Sequence, residues 1–344
     1  MTAVKPIRFT AAACAAVLLL IGFSSARAAT STLENVKREG ILKCGVTQSG
    51  PGLASQDEMG QWRGFFPDFC RVVAAAVTGD AGAVEFYHLD VLSRFTALLD
   101  GQVDLVVANT TWTASRDAGL DIDFPVVLYY DGASFMADPV LGATSLKDVE
   151  QATVCVNDNT TTLASLKSLI ADEKPGFKPL PMRSLNAQID AFSARKCDLM
   201  MYDRIGLQTR RLDFPSPRPV LFPEILSKEP LGPVIRDNDP EWADAVRWSV
   251  FAAINAEELN LTSRNITHHT GRHASEIARF LDKDGHLAQA LDLPRNWSFN
   301  IVKQVGNYGE IFARNIGEAS PYEIPRGLNA SWRDGGLLYA PPMK

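Results

Sequence analysis

Three polar stretches of this chain could act together on one small charged molecule. In "LVVANTTWTASRD" an apolar run, Leu105–Val107, gives way to Asn109, Thr110, Thr111, Trp112 and Thr113, and then reaches Arg116. A strand that spills into short hydrogen-bonding residues and ends on a guanidinium suits a small anion. In "NDNTTT" Thr160 reads as a helix N-cap, which puts Thr161 and Thr162 in the first turn. In "CDLMMYD" a second apolar run ends on Asp203. No catalytic set accompanies them. The histidines are His88, His268, His269, His273 and His286. His269 and His273 have the i, i+4 spacing of a metal pair, but no acidic ligand stands nearby. "DKDG" at Asp282–Gly285 lacks the repeated acids and closing Glu of a calcium loop.

The elements behind these residues read as two copies of one unit. "RFTALLDGQVDLVVAN" (Arg94–Asn109) and "QIDAFSARKCDLMMYD" (Gln188–Asp203) can be laid over each other. Phe95, Leu98 and Leu99 in one, and Ile189 and Phe192 in the other, recur at helical spacing. Each helix breaks, and Asp-Leu then opens a short buried strand ending on a polar residue. Upstream of each lies a further apolar run, "ILKCGV" or "ATVCV", then a polar turn and a helix. The first of these helices is expected near Asp68–Val77. The second starts after Thr160 and stops at Pro175–Gly176.

Strand–helix–strand alternation, twice, predicts two α/β lobes with mostly parallel sheets. Ligands of open α/β sheets bind beyond the carboxyl ends of the strands. Asn109, Asp203, the turn at Gln48–Leu53 and the turn at Thr160–Thr162 all fall there. One ligand held in a cleft between two lobes follows. Asp239 then caps a helix with Pro240 at its first position, and Trp242, Ala245, Val246, Val250 and Ala253 form its apolar stripe. This helix is expected back on the first lobe, so two strands cross between lobes, near Ala133–Ala137 and Glu229–Val234. The first lobe is then 29–136 with 232–344, and the second 137–231.

A chain of 344 residues exceeds one typical domain, and its net charge of −6 gives no support to nucleic-acid binding. Lys5 and Arg8 precede "AAACAAVLLLIGF" and then "ARA" at Ala26–Ala28. That pattern is a secretory signal peptide cut after Ala28. An uncleaved anchor is the other reading, but the apolar run is short for a span. Cys14 precedes the apolar core, which argues against lipidation there. An exported chain keeps four cysteines, Cys44, Cys70, Cys155 and Cys197, and an even number in an oxidising compartment favours disulfides. Of three possible connectivities, proximity favours Cys44–Cys70 and Cys155–Cys197. Four buried, reduced thiols are the alternative.

Beyond these patterns, "NTTWTASRD", "NDNTTT", "CDLMMYDRIGL", "EILSKEPLGPVIR", "RWSVFAAINAEEL", "IVKQVGNYGEIFARNIG" and "RGLNASWRDGGLLYAPP" resemble the periplasmic general L-amino-acid-binding proteins of ABC transporters, within the family 3 solute-binding proteins. The resemblance covers essentially the whole mature chain. It implies a type II-like periplasmic-binding-protein fold, α/β and two-lobed, with two hinge crossings. It implies a monomer without cofactor or metal that captures an L-amino acid between closing lobes and delivers it to an inner-membrane permease. By the same resemblance Arg116 and Thr111 take the ligand's α-carboxylate, the Asn109 main-chain carbonyl takes the α-ammonium, Thr161 and Thr162 offer a helix N-terminus to an anion, and Asp203 is the ammonium's counter-ion.

Several positions depart from the family pattern. Asn159 stands where a Gly is common, Leu163 where an acid is common, and Phe66–Pro67 follow Gly64–Phe65 where an acidic residue is usual, leaving Asp68. Met201–Tyr202 precede Asp203 where small polar residues are usual. The turn "SGPGLAS" carries no aromatic to cover a ligand side chain, so a wider pocket is expected. An alternative on the same fold is a periplasmic dehydratase, which needs a general acid or base facing the ligand. Bland readings also exist: Arg116 could pair with Asp117 or Asp121, and Asp203 with Arg204.

Overall fold

The strand Leu42–Thr47 lies between Val84–Leu89 and Leu105–Val106, parallel to both. Leu42, Cys44 and Val46 are fully buried in this central position, where a strand covered on both faces needs no polar side. The computed structural model describes residues 1–2, 31–268 and 274–344. The expected leader with its cut after Ala28, and the pair His269 and His273, lie outside these residues. Among the described residues no helix is long and apolar enough to cross a membrane.

The helix Phe65–Val77 covers the first sheet and begins three residues before the expected Asp68. Gly64 permits the early start: its φ is 126°, and a Cβ there would strike the Leu53 carbonyl. Pro67 then falls in the first turn, where its missing N–H is not needed. Phe66, one of the departures from the family pattern, is a core residue here, buried with Phe65 and Phe69 against Trp242, Tyr308 and Phe312. Asp68 is equally structural. Its carboxylate accepts from Arg71 at 3.1 Å and from Arg314 Nη2 and Asn315 Nδ2 at 2.7 Å each.

The helix Pro240–Glu258 packs on Phe65–Val77, as its stripe predicts. Asp239 caps it, accepting from Trp242 N, and also accepts from Ser31 Oγ and Thr32 N. The helices Trp297–Gln304 and Tyr308–Asn315 complete the same core. Further on, Asn329 clasps the backbone of Tyr130: its Oδ1 accepts from Tyr130 N at 2.7 Å and its Nδ2 donates to Tyr130 O at 3.1 Å.

The second sheet runs in the order Phe177–Met182, Ala152–Asn157, Leu199–Asp203, Ala133–Ala137, Val220–Leu221. The first three strands are parallel, and Ala133–Ala137 is antiparallel to both its neighbours. Phe135, Val154, Leu166, Leu199 and Phe222 form a separate core. The expected crossing at Ala133–Ala137 is therefore displaced. Those residues pair with Leu199–Asp203 and Val220–Leu221 inside the second sheet. The crossing strands are Tyr129–Asp131 and Glu229–Leu231, paired antiparallel with Glu229 opposite Asp131.

The internal repeat extends to hydrogen bonding. Asp104 Oδ2 accepts from Lys43 N at 3.0 Å, and the matching Asp198 Oδ2 accepts from Thr153 N at 2.7 Å. Each lobe carries one disulfide, Cys44–Cys70 and Cys155–Cys197. The favoured pairing, rather than four reduced thiols, is the one present.

Candidate functional site

The strand Leu105–Val106 delivers its polar continuation to the edge of a crossing strand. Trp112 N donates to Pro230 O at 2.8 Å, and Gly232 N donates to Thr110 O. The loop is thus held at both ends, and Trp112 stacks on Phe124 beside it. Thr113 caps the short helix Ala114–Asp117, which carries Arg116. The Arg116 guanidinium turns back to donate from Nη1 to Thr111 O at 2.7 Å. Among the described residues it pairs with neither Asp117 nor Asp121.

In the second lobe Asn159 takes the left-handed conformation, φ 55°, that Gly would otherwise supply. Thr160 then caps the helix Thr161–Asp172 by accepting from Leu163 N at 3.1 Å. Leu163 points into the core. Asp203 ends its strand nearly buried, 5% exposed. Its neighbour Arg204 donates to Phe222 O and Ser134 Oγ, so the two are not an ion pair.

All six expected ligand residues, Asn109, Thr111, Arg116, Thr161, Thr162 and Asp203, line one cavity between the lobes. Val91, Arg94, Asn157, Thr160 and Tyr202 line it as well. The cavity is narrow, about 20 Å³, because the lobes touch across it. Asn109 Nδ2 donates to Tyr202 Oη at 2.8 Å and to Asp203 Oδ2 at 2.7 Å. The hydroxyls of Thr111 and Thr161 are 3.4 Å apart. The Asn109 side chain is fully engaged, since Oδ1 also accepts from Ser49 Oγ and Thr47 Oγ1. What it leaves to a ligand is its main-chain carbonyl.

Charge in the cleft is concentrated and poorly hydrated. Burial lowers the pKa of Arg116, with Asp203 and Glu229 opposing. Burial raises Asp203, and the Asn109 amide and the two arginines offset part of that rise. Glu229, 2% exposed on the crossing strand, lies against Asp203 and is pushed up to about 9, first by burial and then by Asp203. Asp131 opposite it is pushed up to about 8 for the same two reasons. Two like carboxyls this close share a proton instead of both ionising.

Arg94, Asn157, Tyr202 and Glu229 escaped the sequence reading. Arg94 had left a signal: it is the one charge on the apolar helix Arg94–Leu99. Glu229 had none, because its role depends on the cross-strand pairing.

Two α/β lobes, joined by paired crossing strands and offering opposite charges to one cleft, define a solute-binding protein. The chain matches the bacterial extracellular solute-binding proteins, family 3, over residues 42–265, and belongs to that family. It is 41% identical over 340 residues to the general L-amino acid-binding periplasmic protein AapJ of Rhizobium johnstonii, spanning 98% of this chain and 99% of that one. It is 40% identical to the glutamate/glutamine/aspartate/asparagine-binding protein BztA of Rhodobacter capsulatus, over 92% of this chain and 94% of that one. A solved ABC transporter/periplasmic binding protein from Brucella ovis with glutathione bound superposes with a TM-score of 0.89 at 40% identity, covering 92% of this chain and all of that one.

Proposed function

We propose that this protein is the periplasmic substrate-binding component of an amino-acid ABC transporter and holds the ligand's zwitterion between its lobes. One observation carries the reading: Arg116 from the first lobe and Asp203 from the second line the same cavity. Arg116 and the Thr111 hydroxyl take the α-carboxylate, a planar fork meeting two oxygens. Thr161 and Thr162 add the donors of a helix N-terminus. Asp203 and the Asn109 carbonyl take the α-ammonium. The two ends of one small molecule thus bridge two lobes, and the bridging contacts form only when the lobes close. Closure creates the shape that a membrane permease recognises, and a monomer suffices for it. Export with cleavage after Ala28 fits the same role.

Calorimetry with an L-amino acid and its α-amide tests the clamp. The free acid binds and the amide does not; equal affinity for both removes the carboxylate assignment. Small-angle scattering reads closure, with ligand reducing the radius of gyration. The same purified protein returns its ligand chemically unchanged, which separates a carrier from a dehydratase.

A further inference from the structure

Arg210 reaches across the cleft at a place outside the ligand cavity. It ends the helix Arg204–Arg210, which follows Asp203 directly out of the second sheet. Its side chain is 13% exposed, and its Nη1 donates to Asp213 Oδ2 at 3.1 Å. Among the described residues its Nε is buried without a hydrogen-bond partner. It lies against the backbone of the turn that follows the central strand of the first sheet. A Cβ on Gly50 would stand 2.5 Å from that Nε and 2.8 Å from Cζ. Neither Gly50 nor Arg210 lines the cavity shared by Arg116 and Asp203.

The surface that receives Arg210 is bare and firmly held. Gly50 has φ 114°, a conformation that glycine adopts without strain. Its N donates to Ala54 O at 3.1 Å, and its O accepts from Ala54 N at 2.9 Å. From behind, the turn rests on the C-terminal part of the chain: a Cβ on Gly52 would stand 2.5 Å from the Tyr322 ring and 2.8 Å from Asn315 O. Burial raises the pKa of the Tyr322 phenol, Asp213 adds to that rise and Arg210 opposes it, so both charges are felt across the cleft. The same turn carries Ser49, which donates to Asn109 Oδ1 at 2.9 Å. The seat is thus fixed to Asn109, and Arg210 is fixed to Asp203 through its helix.

An arginine that served only its own helix would need no more than the Asp213 pair. That pair is three residues apart, and the Asp213 side chain is 43% exposed, so it contributes little stability. The buried face of the guanidinium is the one turned to the Gly50 turn. A contact between a side chain that moves with one sheet and a backbone that moves with the other is made only when the cleft is shut.

We propose that Arg210 and the Gly50 turn form a latch on the lip of the cleft, a positioning contact that holds the closed form without touching the ligand and so slows the release of every ligand by the same factor. This rests on the closure proposed above. A residue that touches the ligand's side chain discriminates between ligands. A latch acts on the opening step, which all ligands share.

Two measurements on the full exported chain decide it. The first needs no ligand. The Thr111 and Thr161 hydroxyls stand 3.4 Å apart across the cleft, so a Thr111→Cys/Thr161→Cys pair forms a disulfide at a rate set by how often the empty protein closes. Adding Arg210→Ala slows that trapping by diamide about three- to fivefold, the size of one lost charged contact. An unchanged trapping rate overturns the latch. The second is stopped-flow release of L-glutamine and of L-alanine from the protein with native threonines. Arg210→Ala speeds both by a common factor. Factors that differ more than about threefold between the two ligands overturn the proposal, because Arg210 then reads the ligand itself. If Arg210→Ala does not fold, Asp213→Asn replaces it, since it frees the guanidinium at an exposed position, and the same outcomes decide. Binding of neither amino acid removes the function proposed above, while the trapping rate still decides the latch.

Discussion

Asn109 and Asp203 occupy matching positions at the ends of the two repeated units, and they meet across the cleft, Nδ2 to Oδ2, at 2.7 Å. The cleft is where two copies of one helix–strand unit face each other end to end. One copy ends on a neutral amide and the other on a carboxylate, so the cavity has a polarity that two identical ends would lack. In the clamp proposed above the carboxylate end takes the ammonium, and Arg116 sets the opposite pole.

Arg116→Ala and Asp203→Asn each strand one end of a desolvated zwitterion. Losing one partner of a buried pair costs about 3–5 kcal/mol, roughly two to four decades of affinity. Titration calorimetry should show that loss for both variants. The melting temperature without ligand should barely move. Full-strength binding by both would sink the site assignment and leave the fold untouched.

Glu229→Gln should flatten the protein's stability profile with pH. Burial raises the folded-state pKa of Glu229 from 4.5 to about 9. The folded state therefore binds its proton more tightly than the unfolded chain does. The stabilisation is complete below about pH 4.5 and is lost as pH rises through about 9. Wild-type melting should fall by several degrees between about pH 5 and 9, and by less in Glu229→Gln. Parallel profiles would show that Glu229 is not a proton holder.

Ligand binding should release protons near neutral pH. The Asp203–Glu229 pair retains a proton because both acids are buried together. An ammonium arriving at Asp203 favours the ionised form and expels that proton. Binding enthalpies in two buffers of different ionisation enthalpy should differ accordingly, and affinity should rise with pH from about 5 to 8. Buffer-independent enthalpies would contradict a shared proton.

Asp68→Ala should lower stability by about 1–3 kcal/mol, because it removes the carboxylate that Arg314 and Asn315 share. Urea unfolding measures this. Amino-acid affinity should stay within error, since Asp68 does not line the cleft.

Removing either disulfide by paired Cys→Ser changes should cost about 3–4 kcal/mol in the loop-entropy account, for loops of 26 and 42 residues. Denaturing thiol titration of the exported wild type should find no free thiol. Four reactive thiols would remove this account.

The two-lobed plan was legible because it rests on local signals. Thr160 as a cap, Pro240 at a first helical position and the doubled Asp-Leu strand openings each need only a few neighbouring residues. The six residues proposed as the clamp came from motif resemblance, and all six line one cavity. What escaped depends on distant partners. Ala133–Ala137 reads as a linker until Leu199–Asp203 lies beside it. Glu229 becomes an unusual acid only when the crossing strands set it opposite Asp131 and against Asp203. Phe66 and Leu163 looked like changes near the ligand and are core residues, because helix phase, not distance along the chain from a motif, decides where a side chain points.

The Asn329 clasp on Tyr130 fastens one crossing strand at its first-lobe end. The strand enters the second sheet at Ala133. Only Asp131 and Gly132 lie between anchor and sheet, so in the closure proposed above they are the fulcrum. Among the described residues, Ile277, Phe280, Trp297, Tyr308 and Phe312 all pack into the first-lobe core, so in the closure proposed above that lobe is the anvil and the smaller lobe the moving jaw. On the proposed reading, a permease that distinguishes the shut form from the gaping one registers the displacement of that jaw almost alone.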